Sequence, residues 1–267
     1  MHKITVRDIL RRKQKERRKI TVLTAYDFPF AKLVDEAGID VVLVGDSVGM
    51  VCLGYESTLP VTMLDMIHHV KAVKRAVKHA LIVADMPFGS YRSAGSALRN
   101  AKRLTRGAGA DGVKVEGGEK ILSQVKALVR EGISVVGHLG MTPQSVVELG
   151  GYKVQGKTRE EAGRILKEAK ELEKAGVFSI VLECVPRSLA KKVTHALRIP
   201  TIGIGAGSDT DGQVLVLHDL LGFESPFRPR FVRRYAELGQ VIRKAFDRYR
   251  NDVLRKKFPS AKESFQG

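Results

Sequence analysis

Lys114 and Glu116 alternate with Val113 and Val115 in Gly112-Val113-Lys114-Val115-Glu116-Gly117-Gly118. Alternate side chains of a strand share a face, so an ammonium and a carboxylate look the same way. The paired glycines then turn the chain and leave room above the strand end. A surface strand with an ordinary ion pair would explain this stretch taken alone. It does not explain the neighbours. Asp46, Asp85, His138 and Glu183 each close an apolar run, so five successive runs bring an ionisable residue to their C-terminal end. A carboxylate at the mouth of an apolar core is costly to desolvate unless a cation or hydrogen bonds offset the cost. Such a gathering reads as an active site.

The elements that must position these residues alternate along the chain. Strands are predicted at 20–27, 41–47, 81–86, 112–116, 134–138, 178–183, 200–205 and 213–218. Helices are predicted at 29–36, 62–78, 96–107, 119–131, 158–175 and 187–197. The strands are apolar on both faces, as in a parallel sheet covered by helices. Eight strand–helix steps without a flexible linker describe one closed (β/α)8 TIM barrel spanning residues 1–267, with a basic N-terminal helix in 1–19 and a helical C-terminal extension and polar tail in 226–267. The ionisable strand ends then meet on the face where barrel enzymes hold their chemistry. Between 139 and 157 runs a loop longer than usual, holding Thr142-Pro143-Gln144 and Gly150-Gly151-Tyr152, which points to a lid or binding loop.

Composition narrows the function. At 267 residues with 43% apolar content, the chain is long enough for a sizeable core. It has no run able to span a bilayer and no signal-peptide start, so a cytoplasmic protein without membrane association is expected. Cys52 and Cys184 are too isolated for a disulfide framework and are expected to be reduced and buried. The net charge of +17 is concentrated in residues 11–19 and 228–257. A nucleic-acid-binding protein is one reading of it, yet neither region interleaves aromatics with its charges. Solvated helix faces are the preferred reading.

Family motifs bring a more specific expectation. Thr24-Ala25-Tyr26-Asp27, Val44-Gly45-Asp46-Ser47, Ala84-Asp85-Met86-Pro87-Phe88, Val113-Lys114-Val115-Glu116-Gly117-Gly118, Gly137-His138-Leu139-Gly140-Met141-Thr142-Pro143-Gln144 and Leu182-Glu183-Cys184-Val185-Pro186 resemble, in order, the motifs of ketopantoate hydroxymethyltransferases. Met86 and Met141 stand where leucine is usual. The resemblance covers residues 5–250. It implies a magnesium-dependent barrel, usually decameric, that passes a hydroxymethyl group from methylenetetrahydrofolate to 3-methyl-2-oxobutanoate. The product is 2-dehydropantoate, on the route to pantothenate and coenzyme A. It further implies Asp46, Asp85 and Glu116 as Mg²⁺ ligands and Asp46, Ser47, Asp85 and Lys114 as keto-acid contacts. Glu183 would be the proton acceptor, and His138 a pocket residue of less defined role.

The residue types agree with that chemistry. Oxygen donors suit Mg²⁺, which keeps exchangeable waters that a 2-oxo acid can replace. Local alternatives stay open: Asp46, Asp85 and Glu183 as helix caps, Lys114 and Glu116 as a simple pair, His138 as a packing residue. The glycines at 203, 205 and 207 make a poor dinucleotide signature and fit a tight turn beneath a substrate. The rival functions are a Mg²⁺-dependent carbon–carbon lyase acting on a 2-oxo acid and a nucleic-acid-binding protein.

Overall fold

Short runs of valine, isoleucine and leucine favour extended chain, and amphipathic segments between them cover the sheet. Eight strands result: β1 (Ile20–Thr24), β2 (Val41–Val44), β3 (Leu81–Asp85), β4 (Gly112–Glu116), β5 (Val135–Gly140), β6 (Ser179–Glu183), β7 (Thr201–Ile204) and β8 (Gly212–Leu215). All pair in parallel in chain order, and β8 returns to β1 to close a barrel. The computed structural model describes residues 2–147, 150–151, 153–223 and 229–265. Tyr152 of the long loop and the start of the C-terminal extension at 226 lie outside the described residues.

The helices are α1 (Val6–Arg11), α2 (Phe28–Glu36), α3 (Val48–Val51), α4 (Met63–Ala76), α5 (Ala94–Lys102), α6 (Leu122–Arg130), α7 (Arg159–Ala175), α8 (Arg187–Ala196), α9 (Leu217–Leu221) and α10 (Leu238–Leu254). Their starts follow local chemistry. Thr62 and Thr158 cap α4 and α7, each in a reciprocal box with Asp65 or Glu161 three residues on. Several boundaries differ from expectation by a few residues: β1 ends at Thr24, β2 at Val44 and β7 at Ile204, short of the expected ranges, and β5 runs on to Gly140. The strand expected at 213–218 ends at Leu215, and the helix expected at 96–107 starts at Ala94, because Ser93 supplies the cap, and ends in a π turn.

The chain divides into two compact units, Met1–Val216 and Leu217–Gly267. The first contains the whole barrel. Inside it Ile20, Val22, Val41, Leu81, Val83, Val136, Val181, Ile202 and Val214 pack together, and Ile9 of α1 joins them. The second unit holds α9 and α10. No residue of α10 is buried, and Val241, Phe246, Tyr249 and Leu254 are exposed along it.

The N-terminal basic segment is solvated at Arg11, Lys15, Arg17, Arg18 and Lys19, as expected, but Arg12 and Lys13 turn inward. Arg12 is buried in an ion pair with Asp40, Lys13 meets Asp211 at 2.9 Å, and Lys3 meets Asp111 at 2.7 Å. Each aspartate immediately precedes an even-numbered strand and also accepts a backbone N–H from the strand before it: Thr21, Thr201 and Ile82. The positive charge here locks the barrel floor. The cysteines are free, as expected, but Cys52 is exposed and Cys184 only partly covered. Cys52 stands at the C-terminal end of the short α3, where the chain leaves the helix.

Candidate active site

Strand register decides which side chains meet at the C-terminal rim. Asp85 on β3 stands opposite Lys114 on β4, Glu116 opposite His138 on β5, and Gly140 opposite Glu183 on β6. Asp46 leaves β2 two residues beyond Val44. Of the seven residues singled out from the sequence, Asp46, Asp85, Lys114, Glu116, His138 and Glu183 form one connected cluster. Lys114 Nζ lies 3.4 Å from Asp85 Oδ1 and 3.2 Å from Glu116 Oε1. His138 bridges onward, with Nδ1 3.3 Å from Glu116 Oε1 and Nε2 3.2 Å from Glu183 Oε2. The Asp46 backbone N–H donates to Asp85 Oδ2 at 3.0 Å.

The seventh, Ser47, shares a 2.8 Å hydrogen bond with Tyr26. Only glycine fits before this pair: a Cβ at Gly45 would come within 2.8 Å of Ser47 Oγ and 3.4 Å of Asp85 Oδ2. The capping alternatives are excluded by position. Ser47 stands at the start of α3, Ser93 caps α5 and Pro186 stands at the start of α8, so none of Asp46, Asp85 and Glu183 caps the helix that follows it.

Electrostatics set these carboxyls apart. Burial, reinforced by Asp85 and Glu116, pushes Asp46 well above the usual carboxylate range. Burial also raises Asp85, against the pull of Lys114. For Glu116 the cost of burial is outweighed by Lys114 and His138, which hold it down to about 2. Burial and Lys114 oppose a proton on His138, yet Glu116 and Glu183 raise it to about 9. Lys114, despite burial, is raised by Asp85 and Glu116 and stays an ammonium. Two arrangements compete at His138 Nδ1, which accepts from Lys114 Nζ at 3.1 Å or donates to Glu116. Carboxylates at both ring nitrogens favour the doubly protonated ring, with Lys114 turned to its acids.

Two residues absent from the sequence-derived set complete the rim. Gln144, in the long loop after β5, is 6% exposed and donates from Nε2 to Asp46 Oδ2 at 2.8 Å and to Met86 O at 2.9 Å. Its backbone N–H donates to Glu116 Oε2 at 3.0 Å, and Tyr91 Oη donates to its Oε1 at 2.6 Å. The signal for Gln144 was its Thr-Pro-Gln context in a loop too long for a simple connection. Tyr91 lay in a stretch with no chemical signature.

This geometry bears on a metal. As formal charges, four carboxyls against one lysine and one protonated histidine leave an excess of two negatives, and burial with mutual repulsion raises Asp46 and Asp85, so full ionisation of the rim calls for a further cation. Asp85 Oδ1 is buried and has only the 3.4 Å ion pair with Lys114, with no well-formed hydrogen bond. Among the described residues no three acidic, histidine or cysteine side chains already converge as a closed metal cage. The donors at this rim are carboxylate oxygens, the ligand type that suits a hard cation such as Mg²⁺.

Comparison with known proteins supplies the family. Residues 3–261 match the family model described as ketopantoate hydroxymethyltransferase. A 3-methyl-2-oxobutanoate hydroxymethyltransferase from Thermoanaerobacter sp. (strain X514) is 58% identical, covering 96% of this chain and 94% of the relative. One from Ignicoccus hospitalis is 55% identical, covering 97% and 98%. Among solved structures, phosphonopyruvate hydrolase in complex with oxalate and Mg²⁺ superposes with a TM-score of 0.64 at 15% identity, covering 97% of this chain and 93% of that one. For 2,3-dimethylmalate lyase, a PEP mutase/isocitrate lyase superfamily member, the TM-score is 0.62 at 15% identity, covering 98% and 89%. At such identity these two structures speak for the fold alone, so the lyase reading gains no further support, and nothing found supports nucleic-acid binding. The chain belongs to the ketopantoate hydroxymethyltransferase family.

Proposed function

We propose that the chain transfers a hydroxymethyl group from methylenetetrahydrofolate to 3-methyl-2-oxobutanoate, giving 2-dehydropantoate for pantothenate and coenzyme A synthesis. The observation that carries this reading is the connected cluster at one rim of the barrel, three acids sharing one lysine and one histidine with Asp46 joined through Asp85. Asp46, Asp85 and Glu116 would hold Mg²⁺, their oxygen donors and uncompensated charge matching a hard divalent ion. When bound, it supplies Lewis-acid polarisation of the keto oxygen. Lys114 brings a fixed positive charge to the substrate carboxylate, and Ser47 offers a hydroxyl beside it.

Glu183 then takes the C3 proton as general base. Its side chain is more open than those of its neighbours, at 15% exposure. Water opens the folate's methylene bridge: both carbon–nitrogen bonds break, its oxygen stays on the one-carbon unit as a carbonyl and its two hydrogens go to the two folate nitrogens. The electron pair left at C3 then attacks that carbon, and the proton held by Glu183 goes to the oxygen that becomes the hydroxyl. His138, touching Glu183 on one side and Glu116 on the other, holds the base in place and steadies its charge.

The finer expectations belong to the same reading. No helix among the described residues is long and apolar enough to cross a membrane, and we place the enzyme in the cytoplasm. A homo-oligomer, decameric in keeping with the family, would give the exposed apolar side chains of α10 a partner.

The direct test mixes the chain, Mg²⁺, 3-methyl-2-oxobutanoate and methylenetetrahydrofolate. Ketopantoate should appear only when all four are present. Substrate cleavage without folate would favour the lyase instead.

A further inference from the structure

We infer that Gln144, braced by Tyr91, is a positioning residue for the divalent cation, orienting the carboxylates of Asp46 and Glu116 from the loop after β5. The inference rests on the reading of this cluster as a cation site.

Gln144 spans the site. Asp46 leaves β2 and Glu116 ends β4, with Asp85 on β3 between them, and Gln144 donates to both outer acids at once. The two bonds use different parts of the residue, the side-chain amide for Asp46 and the backbone N–H for Glu116. Moving the loop therefore disturbs both carboxylates together. The second amide proton goes to Met86 O, just past the end of β3, so the bracket is referenced to all three strands.

Only an amide satisfies these partners. Nε2 faces a carboxylate and a carbonyl, both acceptors, while Oε1 faces a hydroxyl that donates. A glutamate would set acceptors against acceptors, and a leucine would leave Asp46 with one donor fewer in a buried site. Each polar atom of this buried side chain is thus engaged with good geometry, the condition under which such a residue fixes its neighbours.

Tyr91 makes the bracket stiff. Its hydroxyl also accepts the Glu116 backbone N–H at 3.3 Å, and Gln124 of α6 donates to the Tyr91 carbonyl at 3.3 Å. The orientation is thus relayed from a helix outside the barrel through Tyr91 to Gln144 and on to the two acids. Gly140, at φ +95°, lets the chain leave β5 close against the Glu183 carbonyl, and Pro143 sets the short turn that presents Gln144. Groups that hydrogen-bond to metal ligands typically contribute about 10–100-fold in metal affinity by fixing ligand orientation.

The test is titration of the full chain with Mn²⁺ as the probe, followed by electron paramagnetic resonance of the free ion, without substrate. Gln144→Leu should weaken Mn²⁺ binding about 10–100-fold. Tyr91→Phe, which removes the hydroxyl's bonds to Gln144 and to the Glu116 backbone and keeps the ring, should weaken it about 2–10-fold. In turnover both variants should need more metal and regain most of kcat at saturating metal, a split that a merely structural role would not produce. Should Gln144→Leu fail to fold, Tyr91→Phe decides alone. Wild-type Mn²⁺ affinity in the folded variants overturns the inference and leaves Gln144 as a loop latch. A wild-type chain that binds no Mn²⁺ overturns the cation-site reading, and the inference with it.

Discussion

At the N-terminal end of the barrel Asp40, Asp111 and Asp211 each have a cation of their own, in Arg12, Lys3 and Lys13, and each accepts a backbone N–H. At the C-terminal end Asp85, Glu116 and Glu183 share Lys114 and His138, and Asp46 has no cation of its own, joining them through Asp85 and Gln144. The two rims belong to one scaffold and carry similar numbers of buried or half-buried acids. The floor spends its charge on holding strands in register, and its aspartates are satisfied within the chain. The mouth leaves charge uncompensated, which costs stability and makes sense only if something from outside completes it. Satisfied acids mark fold; short-changed acids mark function.

Substitutions at the two rims should therefore separate activity from stability. The largest effect is expected from Glu183→Gln, where ketopantoate formation should fall about 10²–10⁴-fold with the thermal midpoint unchanged, the range lost with a general base. Turnover near wild type would remove Glu183 as the base. Next, Asp46→Asn should weaken Mg²⁺ binding by more than about 100-fold, beyond what loss of an outer partner does. The same change should raise the midpoint of the metal-free chain. Burial pushes the Asp46 carboxyl up, so at neutral pH its charge opposes folding. A rise of about 2–4 °C corresponds to 1 kcal/mol in a chain of this size. A fall in midpoint in calorimetry would contradict the contrast between the rims.

On the floor the signs reverse. Arg12→Met strands Asp40 in a buried site and should cost about 3–5 kcal/mol in urea unfolding, without altering Mg²⁺ affinity. A smaller effect follows from pH. Although burial works against it, Arg12 and Thr21 hold the Asp40 carboxyl below its usual range. A folded pKa below the unfolded value, about 3.9, gives stability that is complete above that value and lost as pH falls through the folded one. Circular dichroism below about pH 4 should thus show a steep loss of structure that Asp40→Asn makes shallower. An unaltered acid limb would show that Asp40 is not part of the floor's lock.

The mouth was more legible than the floor because its chemistry is local in sequence. Lys114 and Glu116 declare themselves two residues apart, and Asp46, Asp85, His138 and Glu183 each stand at the end of an apolar run. Parallel closure then brings them together without further information. Arg12 and Lys13 gave no such signal, since their partners Asp40 and Asp211 lie far along the chain and a basic run looks the same whether solvated or paired. The clue was there in Asp40, Asp111 and Asp211, each directly before a strand. Gln144 and Tyr91 were hidden for a related reason: neutral polar residues become informative only when their hydrogen-bond partners are known.

The central claim is that the uncompensated rim, completed by a divalent ion, makes the C3 proton of a 2-oxo acid removable by Glu183. Proton NMR of 3-methyl-2-oxobutanoate in D₂O with the chain and no folate tests it most directly. Deuterium should enter C3 when Mg²⁺ is present, and incorporation should cease with chelator or with Glu183→Gln. Exchange that proceeds unchanged under either condition would contradict the account.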